Sequence, residues 1–200
     1  ALLQRLCDLF EVIEERGRWP ACLTVGLVAP LPKGSGLQTV DVRPITITSV
    51  VYRLWAAARV RELIDWQEKW LSSCISSYRP GAGCEEIWLT QALQVEHALL
   101  FNEPVAGISL DFAKAFDRVP VHILLELASQ LGVQSGIVNA LKGIYGQLTR
   151  RWKTAPFLGE SFSSTNGILQ GCPLSVVLLN MMIHIWVQVI QEKVPLANPS

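Results

Sequence analysis

The stretch from Leu174 to Ile190 constrains this chain more than any other, because a run so apolar must be covered by something. Two environments can cover it: a lipid bilayer or a protein core. Asn180, His184 and Gln188 interrupt the run, which falls short of about 20 consecutive apolar residues and has no Lys or Arg flanking its N-terminal side. The sequence therefore predicts a buried helix with Pro173 in its first turn, and no membrane partner is expected. The rest of the chain has to wrap around that helix. With 50% of its 200 residues apolar, it can do so in one or two compact units.

The spacing of apolar residues upstream predicts what does the wrapping. Leu2, Leu3, Leu6, Leu9, Phe10 and Ile13 recur at helical period until Gly17 and Pro20. Cys22 to Leu31 and Ile45 to Thr48 read as antiparallel strands joined by a basic-tipped loop at Pro32-Lys33-Gly34-Ser35-Gly36. Helical period returns from Ser49 to Leu71, with Leu54, Ala58, Leu63 and Trp66 or Trp70 as core candidates. Ser72 to Gly83 is a connection and Glu85 to Leu100 a further helix. Pro104 to Asp111 reads as a strand through Val105, Ile108 and Leu110. Helices are predicted over 121–131 and 134–148, split at Gly132, then a strand over 150–157 and strand or turn over 162–167. Strands mixed with helices in this order argue an α+β fold.

Charge and cysteine usage narrow the functions. Lys plus Arg and Asp plus Glu both count 17, so no global field draws the chain to nucleic acid, and any phosphate contact has to use local patches. The five cysteines form no C-x-x-C pair and the three histidines share no metal-ligand spacing with them. A disulfide framework or zinc site is not expected, and a reducing, intracellular setting in nucleus or cytoplasm is. The N-terminus does not resemble a secretory signal.

Chemistry becomes plausible at Asp111, which leaves an apolar segment and is followed by Phe116 and Asp117. Its carboxylate, with the carbonyl of Phe112, can hold a hard cation such as Mg²⁺, although on spacing alone a helix cap is the simpler role for such an aspartate. Further on, Asn166-Gly167-Ile168-Leu169-Gln170-Gly171-Cys172-Pro173-Leu174-Ser175 is a glycine-bearing turn that opens a helix, where backbone approaches a ligand closely.

The string Ser109-Leu110-Asp111-Phe112-Ala113-Lys114-Ala115-Phe116-Asp117-Arg118-Val119-Pro120 resembles the first catalytic motif of reverse transcriptases, those of non-LTR retrotransposons and group II introns in particular. The Gln170-Gly171-Cys172-Pro173-Leu174-Ser175 turn is similar to a later motif of the same family, in the right order. Leu31-Pro32-Lys33 and Asp41-Val42-Arg43-Pro44-Ile45 look like its fingers segments. The resemblance implies the fingers and incomplete palm of a right-hand polymerase, with a fingers-like region over 1–105 and a partial palm over 106–200. It implies that Asp111 and Phe112 bind catalytic Mg²⁺ or Mn²⁺ and that Lys33, Arg43, Phe112, Phe116, Gln170 and Gly171 surround a dNTP. The Phe116 ring would exclude a 2′-hydroxyl sterically. RNA template and DNA primer are the implied partners, with Arg150, Arg151, Trp152 and Lys153 as candidate nucleic-acid contacts, a mix of cations and an aromatic that suits phosphate contact plus stacking. Charge guarding a hairpin edge is the alternative for that last group.

Two departures qualify the expectation. Where the family carries a Gln-x-Gly-Phe-like stretch, this chain reads Ser77-Tyr78-Arg79-Pro80-Gly81-Ala82-Gly83-Cys84. Two-metal nucleotidyl transfer needs carboxylates on both sides of the metal pair. After Gln170 the only acidic residue is Glu192, so the Asp-Asp hairpin and thumb that the resemblance implies have no counterpart here. The expectation is a fragment of an RNA-directed DNA polymerase that binds dNTP and template–primer but is inactive by itself. A non-catalytic nucleotide- or nucleic-acid-binding module, or a decayed retroelement remnant, is the alternative.

Overall fold

The computed structural model describes residues 2–32 and 42–195. Its N-terminal helix α1 (Leu2–Arg16) follows the predicted period and ends where the Gly17 N–H bonds the Ile13 carbonyl at 2.8 Å. Trp19 follows at once and is buried. Its indole Nε1 donates to the Ala140 carbonyl at 2.8 Å, and its ring meets Tyr52 and Trp55 edge-on at 5.4 Å each. This aromatic cluster fills the centre of the core, in keeping with the area such rings bury.

The two predicted strands form as β1 (Val25–Pro32) and β2 (Val42–Ile47), antiparallel in the register Leu27↔Ile47 to Pro32↔Val42. Lys33 and Asp41 lie outside the described residues. Ser49 caps the next helix, α2 (Val50–Gln67), its hydroxyl accepting the Tyr52 N–H at 3.1 Å. The predicted face of α2 is corrected: Leu54 and Ala58 are exposed, while Tyr52, Trp55, Ala56, Val60 and Leu63 are buried. Apolar residues fall all round this helix, so its period carries no clear direction, and Trp19 decides which side turns inward. Trp66 and Trp70 are half-buried and pack on the core.

Helix α3 (Cys84–Phe101) forms as predicted, yet nearly all of its side chains stay exposed. The segment after it differs from expectation. Residues 103–112 form no strand, and Val105, Ile108 and Leu110 are exposed rather than buried in one. A strand exists only through its ladder, and among the described residues none lies alongside. Four short helical residues, α4 (Ala115–Arg118), lead to α5 (Val121–Gln130) and α6 (Ser135–Gln147), the pair predicted around Gly132.

β3 (Thr149–Thr154) forms most of the strand predicted over 150–157, whose last residue instead begins a second strand, β4 (Phe157–Phe162). β3 runs parallel to β1, Val25↔Thr149 to Val28↔Trp152, giving the sheet order β2-β1-β3-β4. Helix α7 (Leu174–Lys193) is long and apolar enough to cross a membrane by length and composition. It buries Leu174, Val177, Leu178, Met181 and Val187 against the protein and leaves Ile185 and Val189 exposed. The whole is a mixed α+β fold, with the core between α1, α2, α5, α6 and α7 and the sheet along one edge.

Candidate functional site

The turn ahead of α7 is held from every side. Tyr145 Oη accepts the Leu169 N–H at 3.3 Å, Ser175 Oγ donates to the Leu169 carbonyl at 2.7 Å, and the Thr46 N–H of β2 donates to the Gln170 carbonyl at 3.0 Å. Buried Cys172 lies with its Sγ 3.1 Å from Tyr52 Oη. Burial pushes both of these groups up from their ordinary pKa, so neither is charged near neutral pH and the pair is a structural contact. Gly171 adopts φ +100°, and a Cβ there would sit 3.3 Å from Ile45 and 3.5 Å from the Thr46 carbonyl. A glycine is needed both for that backbone conformation and for the close approach to β2.

A second turn is stitched to the first. The Ile168 N–H donates to the Phe116 carbonyl and the Gly167 N–H to the Val119 carbonyl, both at 2.8 Å. Gln170 Nε2 donates to Asp117 Oδ1 at 3.1 Å. Three segments far apart in sequence, β2, the turn 114–118 and the turn 167–173, are thereby brought together.

They enclose an open cleft of about 870 Å³. Arg43, Phe112, Phe116, Gln170, Gly171 and Trp152 from the sequence prediction all line it. Asp111 is exposed and stands next to the lining residue Phe112 without lining the cleft itself. Lys33 lies outside the described residues. Arg150 is half-buried in β3, and burial lowers its pKa against the opposing attraction of Tyr145 and Asp117. Arg151 Nε donates to the Gly159 carbonyl across the β3–β4 hairpin at 3.0 Å, and Lys153 is exposed. Trp152 stacks on Phe162, centroids 6.0 Å apart, on the strand that reaches the cleft.

Tyr78 and Lys114, which were not among the predicted site residues, also line the cleft. Tyr78 adopts φ +59°, and its loop is anchored from beneath. Gln67 Nε2 donates to the Tyr78 carbonyl at 3.1 Å, Asn180 Nδ2 donates to the Ser77 carbonyl at 2.8 Å and to Gln67 Oε1 at 3.2 Å, and Ser77 Oγ donates to Asn180 Oδ1. Asn180, read in the sequence only as a break in an apolar run, thus carries half of a buried amide network. Arg59 pairs with Glu14 at 2.6 and 2.9 Å, and Glu14 also accepts from Trp55 Nε1 at 2.7 Å.

Chemically, the cleft offers cations at Arg43 and Lys114, a carboxylate at Asp117, aromatic rings at Tyr78, Phe112, Phe116 and Trp152, and amide polarity at Gln170. That is the combination that grips a phosphorylated aromatic molecule: charge for the phosphates and rings for the base. Among the described residues no three His, Cys, Asp or Glu side chains cluster as a metal site.

The sequence matches the family model described as reverse transcriptase (RNA-dependent DNA polymerase) over residues 31–197. It is similar to the retrovirus-related Pol polyprotein from type-2 retrotransposable element R2DM of Drosophila melanogaster, 23% identical over 171 residues, covering 84% of this chain and 16% of that protein. It is also similar to the transposon TX1 uncharacterized 149 kDa protein of Xenopus laevis, 26% identical over 182 residues, covering 88% of this chain and 14% of that protein. The chain spans only those small fractions of the curated relatives that it matches.

Proposed function

The chain belongs to the reverse transcriptase family, and from that premise we propose that its cleft is the nucleotide-binding part of an RNA-directed DNA polymerase site. The observation that carries the proposal is convergence: Arg43, the Phe112–Asp117 segment and the Gln170-Gly171 turn line one cleft although they lie far apart in the chain. In this reading Arg43 bonds the triphosphate, and Lys33 does the same. Phe116 packs under the sugar and Gln170 with Gly171 borders the nucleotide. Residues 1–105 form the fingers-like region and 106–200 the partial palm. Template and primer run past the open mouth, with Trp152 and Lys153 nearest to them, while Arg151 bonds the Gly159 carbonyl within the sheet and Arg150 is half-buried.

A divalent cation, Mg²⁺ or Mn²⁺, enters this reading with the substrate. The donor set fits such an ion: Asp111 supplies an exposed carboxylate and Phe112 a backbone oxygen, and magnesium sites of this kind take one or two carboxylates and complete their shell with substrate phosphates and water. When bound, the cation neutralises charge on the phosphates and polarises the reacting phosphorus. Asp111 and Phe112 would hold it, and Arg43 would add positive charge at the leaving phosphates. In this reading the chain binds nucleotide without turning it over by itself.

Titration with dATP and Mg²⁺, followed by intrinsic tryptophan fluorescence or calorimetry, tests the proposal. Saturable binding is expected, weakened by roughly 10- to 100-fold in Arg43→Ala, the size of a lost charge-assisted bond to phosphate. Primer extension by the same chain is expected to be nil. Absence of saturable binding, or an Arg43→Ala variant that binds as well as the parent, overturns the proposal.

A further inference from the structure

Asp117 shares the cleft wall with Gln170, and its carboxylate is the group that the Gln170 side-chain amide faces, at 3.1 Å across 53 residues of sequence. We infer that Asp117 is a positioning residue, which fixes the orientation of the Gln170 amide so that its oxygen, an acceptor, is the end left for the ligand. The inference rests on the nucleotide-site reading of the cleft and adds to it a chemical requirement: the ligand presents a hydrogen-bond donor, a hydroxyl or an amino group, at that wall.

The chemistry of the two side chains carries the direction. A carboxylate only accepts, whereas a glutamine amide has a donating and an accepting end. Facing Asp117, the amide must turn its nitrogen to the carboxylate. Its oxygen is then the free end. The opposite orientation would set two acceptors against each other in a partly buried place, at the cost of an unmet polar group.

The backbone shows that the meeting of the two residues is built in. Gln170 cannot retreat, because its own carbonyl is held by the Thr46 N–H at 3.0 Å. The turn bearing Asp117 cannot retreat either, being tied through Phe116 and Val119 to Ile168 and Gly167. Gly167 adopts φ +89°, and a Cβ there would stand 2.9 Å from the Asp117 carbonyl oxygen and 3.1 Å from its Cα. Only a residue without a side chain lets the two turns close to this distance. Arg150, half-buried in β3 with its Nε unpartnered among the described residues, is attracted by Tyr145 and, less strongly, by Asp117.

Two measurements on the full chain test the inference separately from the nucleotide reading. In the ligand-free protein, the Gln170 side-chain NH₂ signals, assigned by their loss in Gln170→Ala, are expected to move in Asp117→Asn and Asp117→Ala. Unmoved signals in a folded variant overturn the inference whether or not the protein binds nucleotide. In titrations with dATP and Mg²⁺, Asp117→Ala and Gln170→Ala are each expected to weaken binding by roughly five- to tenfold, with no further loss in the double variant. Losses that multiply in the double variant, or an Asp117→Ala variant with unchanged affinity, overturn it. A parent chain that fails to bind dATP overturns the nucleotide reading, and the amide signals then decide the geometric claim on their own. Should Asp117→Ala not fold, Asp117→Asn takes its place: it keeps the shape and can pair with the amide either way round, so a partial loss of affinity is expected, and full affinity overturns the inference.

Discussion

Phe116 lines the cleft with its ring half-buried against the core, so its position is set by packing and little by ligand. In the proposed site it blocks a 2′-hydroxyl by occupying its space. Phe116→Val is expected to shift the preference between dATP and ATP toward ATP by on the order of tenfold, about 1.4 kcal/mol, read from paired titrations. An unchanged ratio would remove the steric role. His184 raises a different question, because its Nδ1 accepts the Ser72 N–H at 3.1 Å and its ring lies edge-on to Trp70 at 4.9 Å. Burial lowers its pKa from the ordinary 6.5, so the fold is built on the neutral ring. Between the folded pKa and 6.5 the unfolded chain binds the proton and the folded chain does not, so stability drains as the pH falls through that interval. Denaturant melts at pH 7.5 and 5.5 are expected to show that loss, and His184→Gln is expected to make it smaller. At this scale the sequence was legible where a residue belongs to a contiguous string, as Arg43, Phe116 and Gln170 do. It was not legible where a partner arrives from elsewhere: nothing near Asp117 announces Gln170, and nothing near Asn180 announces Gln67 and Ser77.

Helix α6 meets the end of α1 through an absent side chain. A Cβ at Gly143 would lie 2.2 Å from the Gly17 carbonyl oxygen and 3.3 Å from the Trp19 ring. Replacing a glycine inside a helix by alanine ordinarily gains about 1 kcal/mol of helix propensity. Here the clash outweighs it: Gly143→Ala is expected to cost about 2 kcal/mol and to lower Tm by roughly 4–8 °C in a chain of this size. A rise in Tm would contradict the packing described. Elements with a one-sided apolar pattern, such as α1 and α5, were readable from their spacing. The face of α2 was not, since Leu54 and Ala58 offer as good a stripe as Tyr52, Trp55 and Ala56, and only contact with Trp19 separates them. Residues 104–111 carry strand-forming side chains but no partner strand among the described residues, and β propensity without a ladder makes no strand.

Across the whole molecule, attraction for nucleic acid has to be local, because the 17 basic and 17 acidic residues cancel. The cleft places Arg43 and Lys114 beside Asp117, whose carboxylate the Gln170 amide faces. It also gathers residues from both proposed regions: Arg43 and Tyr78 from 1–105, and Phe112, Phe116, Trp152 and Gln170 from 106–200. Elsewhere α3 and the segment after it leave several large apolar side chains exposed, with Leu100 at 81% and Ile108 at 88%. The cleft, in contrast, is complete enough to be tested as it stands. Photo-crosslinking with 8-azido-dATP and Mg²⁺, followed by peptide mapping, asks directly whether one cleft built from three distant segments holds a nucleotide. Adducts on the peptides carrying Tyr78, Phe116 or Trp152, suppressed by excess dATP and reduced in Arg43→Ala, are the predicted result. Adducts confined to α5 and α6, or labelling that excess dATP does not suppress, would contradict it.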